Sequence, residues 1–359
     1  MEGASGYVMV MQKNLFGMAL TSYMQQKAYE AGTPISATFE LTPRCGFNCR
    51  MCYVHLTEKR IKEVGNGREL TGDEWLEIGR QACEMGVLSV CITGGDPVCH
   101  PEFQKIWVGL SKMGFRLTLQ TNGAMLTEEI LQMLEEYPPE LVKITLYGSN
   151  DKVYEEVCRV SEGFTRADRG IKELQDRGFS IQLVTTFIQQ NRDDAEEIFR
   201  YAKENHLPWY YSASCYPSLR GAESEAQTCA IPIWDEKNSE QTSELWNKMK
   251  PVEDKIPAEH CSSYRTGFNI SWDGEMRFCL LLNEPHIKVV GKDLTECWKE
   301  LLDFWEDLRW PKECYRCEYK VQCKRCLAHL ACFSGGLNKL DREYCKKIQK
   351  MIDLKMEKK

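Results

Sequence analysis

Residues 44–56 read RCGFNCRMCYVHL, which sets Cys45, Cys49 and Cys52 in a C-x3-C-x2-C spacing with Tyr53 directly after. A disulfide uses two thiols, and a closed structural zinc site uses four ligands. Three thiols suit a weak zinc site, buried structural thiols, or a [4Fe–4S] cluster that leaves one iron open to another ligand. The choice among these rests on what surrounds the stretch.

The triplet follows a candidate strand, ISATFEL (35–41), which begins a strand-then-helix rhythm. VLSVCIT (87–93), FRLTLQT (115–121), LVKITLY (141–147), FSIQLVTTF (179–187) and LPWYYSAS (207–214) continue it, rich in β-branched and aromatic residues and bounded by Gly, Pro or Asn. Between them the apolar spacing predicts helices. One starts at a Thr71/Glu74 capping box and ends near Gly86; others cover about 101–113, 127–136, 164–177 and 192–205. Six such units imply parallel strands and an α/β fold, a partial (β/α)6 TIM-like barrel. Chemistry in barrels collects at the C-terminal ends of strands, where the triplet lies.

At 359 residues the chain exceeds the size of one comfortable core, so two domains are expected. The net charge of −7 argues against nucleic acid or an anionic membrane surface as partner and suits a cationic peptide or small molecule. No apolar run approaches a membrane span, and the N-terminus lacks a signal-peptide pattern, so a cytoplasmic location is expected. Eighteen cysteines in such a chain point to metal or cluster ligation rather than disulfides, and nine of them lie between Cys261 and Cys345. The expected organisation is an N-terminal helical segment (1–34, with a helix over 7–31), the partial barrel (35–215), a Pro-punctuated bridge (216–257) and a cysteine-rich domain with a C-terminal helix (258–359). Cys83, Cys91, Cys158 and Cys297 fall in helix or strand patterns and read as buried structural thiols.

The triplet with its aromatic neighbour, at this place in a partial barrel, resembles the radical SAM enzymes. Gly94-Gly95-Asp96-Pro97 after the second strand resembles that family's GGEP-type loop, with Asp96 in place of Glu. Thr121-Asn122-Gly123 ends the third strand as the family's TNG does. Thr145-Leu146-Tyr147-Gly148 ends the fourth, with Arg159 eleven residues past Gly148. The resemblance implies a [4Fe–4S] cluster on Cys45, Cys49 and Cys52. It also implies S-adenosylmethionine contacts at Tyr53, Gly94, Gly95, Asp96, Thr121, Asn122, Thr145 and Arg159, with Arg159 pairing the methionyl carboxylate. The implied chemistry is reductive cleavage to a 5′-deoxyadenosyl radical that abstracts a hydrogen atom.

Downstream, Cys261-x12-Gly274-x4-Cys279, Cys314-x2-Cys317-x5-Cys323-x2-Cys326 and Cys345 resemble the SPASM extension of radical SAM proteins. This implies a small iron–sulfur domain and three [4Fe–4S] clusters in all. Cys261, Cys279 and Cys326 match one auxiliary cluster; Cys314, Cys317, Cys323 and Cys345 match the other. The chain has two residues rather than three before Cys326 and no cysteine over 230–260. The first auxiliary cluster therefore has three evident ligands: Cys332 or Cys229 completes it, or one iron is open to substrate. Zinc stays an alternative for the paired C-x2-C units.

Members with this extension mostly modify ribosomally made peptides. The expectation is a peptide maturase forming a thioether or carbon cross-link, or epimerising a residue, with Cys215 after the sixth strand as a candidate hydrogen donor. Alternatives are a tetrapyrrole side-chain modifier, a sulfatase-maturase-like enzyme, disfavoured by Leu280 where those enzymes carry Asp, and a non-catalytic electron-transfer scaffold. Implied partners are the peptide, a separate leader-binding protein, and a flavodoxin or ferredoxin as low-potential donor.

Overall fold

The computed structural model describes residues 20–231, 257–261, 263–320, 323, 326–337 and 339–356. Six parallel strands run in chain order as β1 (Ser36–Glu40), β2 (Ser89–Thr93), β3 (Arg116–Thr121), β4 (Leu141–Thr145), β5 (Ile181–Thr186) and β6 (Trp209–Ser212). Each pairs with the next, and each begins within two residues of its expected start. Alternate residues along the strands are buried, as Ile181, Leu183 and Thr185 are in β5. Helices Gly72–Glu84, Phe103–Lys112, Glu128–Glu136, Gly163–Asp176 and Ala195–Glu204 cover the outer face, giving the expected partial barrel.

The helix ends follow the sequence signals. Thr71 Oγ1 accepts from Glu74 N at 3.3 Å, while Glu74 Oε2 accepts from Thr71 N at 2.8 Å, a reciprocal cap on the first of these helices. This helix buries Trp75, Ile78, Gly79 and Ala82, with the Trp75 ring 5.3 Å from that of Phe39 in β1. Cys83, expected to be buried, is exposed: it falls just off that apolar stripe.

The sheet continues past β1. Strand β7 (Gly267–Ile270) pairs parallel to it, with Ser36 opposite Gly267, and β8 (Glu275–Arg277) and β9 (Ile287–Lys288) add antiparallel beyond. Thus β1, which leads into the cysteine triplet, is hydrogen-bonded on both sides. Unforeseen helices at Glu58–Glu63 and Asp151–Cys158 flank the triplet loop. Residues 20–31 are helical, while the rest of the helix expected over 7–31, and most of the expected bridge, lie outside the described residues. Among the described residues no helix is long and apolar enough to cross a membrane.

Candidate active site

Pairing between β1 and β2 carries on beyond both strands. Leu41 N donates to Thr93 O at 2.8 Å, Gly95 N to Thr42 O at 2.7 Å and Asp96 N to Arg44 O at 2.8 Å. The Gly-Gly loop thereby lies directly against the start of the triplet loop. A Cβ on Gly94 would stand 2.4 Å from Thr42 O, and one on Gly95 2.4 Å from Arg44 O, so only glycine permits this approach. On its other side the loop is strapped to helix Asp151–Cys158. Asn48 N donates to Cys158 O at 3.1 Å and Arg50 N to Val157 O at 3.0 Å, satisfying carbonyls that a helix end leaves without partners.

The sulfurs sit among donors. Cys45 Sγ accepts from Phe47 N at 3.3 Å and from Asn122 Nδ2 at 3.5 Å, and Cys52 Sγ accepts from His55 N at 3.3 Å. Cys49 shares a hydrogen bond with the buried Cys158 thiol, which with its own burial pushes its pKa well up. Burial pushes Cys45 up likewise and Cys52 to about 11. Such thiols become anions only when something positive compensates, as a metal does. Among the described residues no three His, Cys, Asp or Glu side chains gather tightly enough for a single ion. A cluster, by contrast, gives each thiolate its own iron. The three thiols, with N–H donors on two sulfurs and a glycine cradle beside them, fit the family's cluster.

Asp96 is fully buried. Its carboxylate accepts from Thr121 Oγ1 at 2.8 and 2.9 Å, from Asn122 N at 3.1 Å and from Val98 N at 3.3 Å. Burial pushes its pKa up to about 6 against these bonds. Asp96 and Thr121 therefore latch the β2 and β3 loops together, which holds Asn122 on Cys45. At the end of β4, Tyr154 Oη donates to Thr145 O at 3.4 Å and accepts from Tyr147 N at 3.2 Å. Arg159 takes a left-handed backbone (φ 54°) at the end of its helix, and its guanidinium is ion-paired with Glu225. Glu225 also holds Arg50 at 2.8 Å, and this crossed pairing had no local signal in the sequence.

A second unforeseen pair lies under the triplet. The side chains of Glu40, ending β1, and Arg220 are almost wholly covered, with Nη2 at 2.8 Å from each carboxylate oxygen. Arg220 Nη1 donates to Leu280 O at 2.6 Å, next to Cys279. Burial pushes Tyr53 up, helped by the negative charge of Glu40 and of the thiols of Cys52 and Cys279 when ionised; Tyr53 thus stands between the two cysteine fields.

In the second field, Cys279 follows the β7–β8 hairpin, whose tight turn uses Gly274 at φ 79°. Cys261 follows the turn Pro257–His260, and Cys326 precedes helix Leu327–Ser334. Cys314, Cys317, Cys323 and Cys345 line one cavity together with Tyr344 and Leu340. Four thiols about one space fit a fully ligated cluster. Cys215 lies three residues past β6, buried at 7% exposure, and shares a hydrogen bond with Cys229. That bond raises the Cys215 pKa and lowers that of Cys229.

This strand order, with the triplet, Gly-Gly and Thr-Asn-Gly loops at adjacent strand ends, is the architecture of a radical SAM domain. Residues 39–202 match the family model described as the Radical SAM superfamily, and the chain carries that domain. The AdoMet-dependent heme synthase of Methanosarcina barkeri is 26% identical over 345 aligned positions, covering 87% of this chain and 96% of that protein. The PqqA peptide cyclase of Rhizobium meliloti is 22% identical over 341 positions, covering 86% of each. The Bacillus subtilis subtilosin biosynthesis protein AlbA is 27% identical over 159 positions, covering 44% of this chain and 34% of that one. Among solved structures, Streptococcus suis SuiB bound to S-adenosylmethionine shares the fold with a TM-score of 0.64 at 15% identity, covering 90% of this chain and 79% of that one. The enzyme anSMEcpe with bound AdoMet does so at 0.62 and 14% identity, covering 89% and 96%. The family implies a [4Fe–4S] cluster and S-adenosylmethionine as cofactors.

Proposed function

We propose that this enzyme modifies a ribosomally made peptide, forming a thioether or carbon cross-link. The observation that carries the reading is the pairing of one open-ended thiol triplet at the barrel rim with a second, thiol-dense field reached through Tyr53. Bound at Cys45, Cys49 and Cys52, the cluster supplies one electron for cleavage of S-adenosylmethionine to the radical that abstracts hydrogen. The residues of the chain hold and orient. The Gly94–Gly95 backbone would meet the methionyl amine, Arg159 would exchange Glu225 for the carboxylate, and Asn122 and Thr145 would border the nucleoside.

A cross-link removes two hydrogens from the peptide: one goes to the nucleoside, the other leaves as a proton and an electron. Cys314, Cys317, Cys323 and Cys345 would hold one of two further clusters in the second field, which would supply an acceptor for that electron. Relatives whose names describe peptide cyclisation, and the SuiB structure bound to the precursor peptide SuiA, support a peptide as substrate. A leader-binding protein and a flavodoxin or ferredoxin are the partners this chemistry calls for.

A second reading has its own support. The heme synthase relative spans 96% of its own length in the match, which favours a tetrapyrrole as substrate. Reduced, reconstituted enzyme should be incubated anaerobically with S-adenosylmethionine and either short peptides encoded beside the gene or a carboxylated porphyrin. Release of 5′-deoxyadenosine with a peptide two hydrogens lighter supports the first reading. Release driven by the porphyrin alone replaces it with the second, and no release with either sinks both.

A further inference from the structure

We propose that Cys332 is the fourth thiolate of the auxiliary cluster whose other ligands are Cys261, Cys279 and Cys326. The inference rests on the reading that the second field holds clusters, and it chooses between the two cysteines that the spacing left open.

Four thiols come together from three segments. Cys261 is delivered by the turn Pro257–His260, and helix Leu327–Ser334, which carries Cys332 and has Cys326 at its N-terminus, packs on that turn. Cys332 Sγ donates to Leu281 O at 3.1 Å, so its sulfur lies over the turn that Cys279 opens, where Leu282 N donates back to Cys279 O at 3.0 Å. The ionised forms of Cys261, Cys326 and Cys332 all repel charge on Cys279, and Cys326 does the same to Cys332 and Cys261. The Tyr216 phenol feels Cys326, Cys279 and Cys332 together. Cys279 and Cys326 thus neighbour each other, and each also neighbours Cys261 and Cys332.

Cys229 belongs elsewhere. It ends the short helix Ala226–Cys229, shares its thiol with Cys215, and has Glu225 and Arg50 as its charged neighbours. Its carbonyl accepts from Gln189 N at 2.8 Å, next to the end of β5. Its thiol is engaged by Cys215 rather than by the thiols beside helix Leu327–Ser334.

A fourth thiolate from Cys332 gives every iron of this cluster a protein ligand. The cluster then carries electrons without binding a substrate thiol.

The test uses the full chain with Cys45→Ala, Cys49→Ala and Cys52→Ala together, so that only the second field binds iron. Iron and sulfide content, Mössbauer spectra and the electron paramagnetic resonance of the reduced protein are read for this background and for added Cys332→Ala or Cys229→Ala. The background should hold roughly eight irons. Cys332→Ala should lose about half of them, or keep them with one of two signals altered and shifted back by added ethanethiol. The unchanged second signal shows that the domain is folded. Cys229→Ala should match the background. An unaltered spectrum with Cys332→Ala, or an altered one with Cys229→Ala instead, overturns the assignment. A background with no iron at all overturns the underlying reading of the second field.

Discussion

Arg220 places Nη2 at 2.8 Å from both carboxylate oxygens of Glu40, and the pair joins the end of β1 to the backbone beside Cys279. The two side chains are only 5% and 1% exposed, so water does little to compensate either charge. Arg220→Met leaves the buried Glu40 carboxylate without its paired guanidinium and should cost about 3–5 kcal/mol. Replacing both with apolar residues of similar volume should recover most of that loss. Urea unfolding of the metal-free protein under argon, read as a double-mutant cycle, measures both; two single-site costs that simply add would show that the contact is idle.

Removal of any one triplet thiol, as in Cys45→Ala, should abolish 5′-deoxyadenosine formation and reduce bound iron by about four atoms per chain. Cys158→Ala should keep that iron, because Cys158 touches Cys49 only by a hydrogen bond. Iron assays on anaerobically reconstituted variants separate the two.

Gly95→Ala sets a methyl group 2.4 Å from Arg44 O and 2.7 Å from Pro43 O, both backbone atoms. The loop must move off the triplet, so affinity for S-adenosylmethionine should fall by roughly tenfold or more, about 1.4 kcal/mol. Equilibrium dialysis of the reconstituted variant gives the number, with iron content as the control for an intact cluster.

The hydrogen bond from Arg68 and the Thr71 cap pull the Glu74 pKa down to about 2 in the folded protein. A folded pKa below the unfolded one adds stability above pH 4.5 and loses it as pH falls toward 2. Glu74→Gln should therefore cost on the order of 1 kcal/mol at pH 7 and progressively less in acid. Urea midpoints of both proteins across that range should converge; a constant gap would assign the cost to shape instead.

Much of this was legible from the chain. The six barrel strands carry local signals, and their order follows from short right-handed connections, so the triplet, Gly94–Gly95 and Thr121–Asn122 fell at adjacent strand ends. What the sequence concealed has no local signature. Glu40 and Arg220 lie 180 residues apart, and β7 meets β1 across more than 200 positions. Asp96 belongs to the loop whose backbone is expected to meet the cofactor, and the hydrogen bonds of its carboxylate to Thr121 and Asn122 carry no sequence signal. The pairing of Cys215 with Cys229 depends on how the chain returns after β6, which hydrophobic periodicity does not encode.

The seating of β7 against β1 makes the two halves of the gene inseparable. A product stopped at residue 231 would bare one whole flank of β1, a row of amides and carbonyls ready to zip onto a second copy. Such a fragment should clump rather than yield a smaller working catalyst, so the triplet rim can be built only once the ribosome has delivered β7.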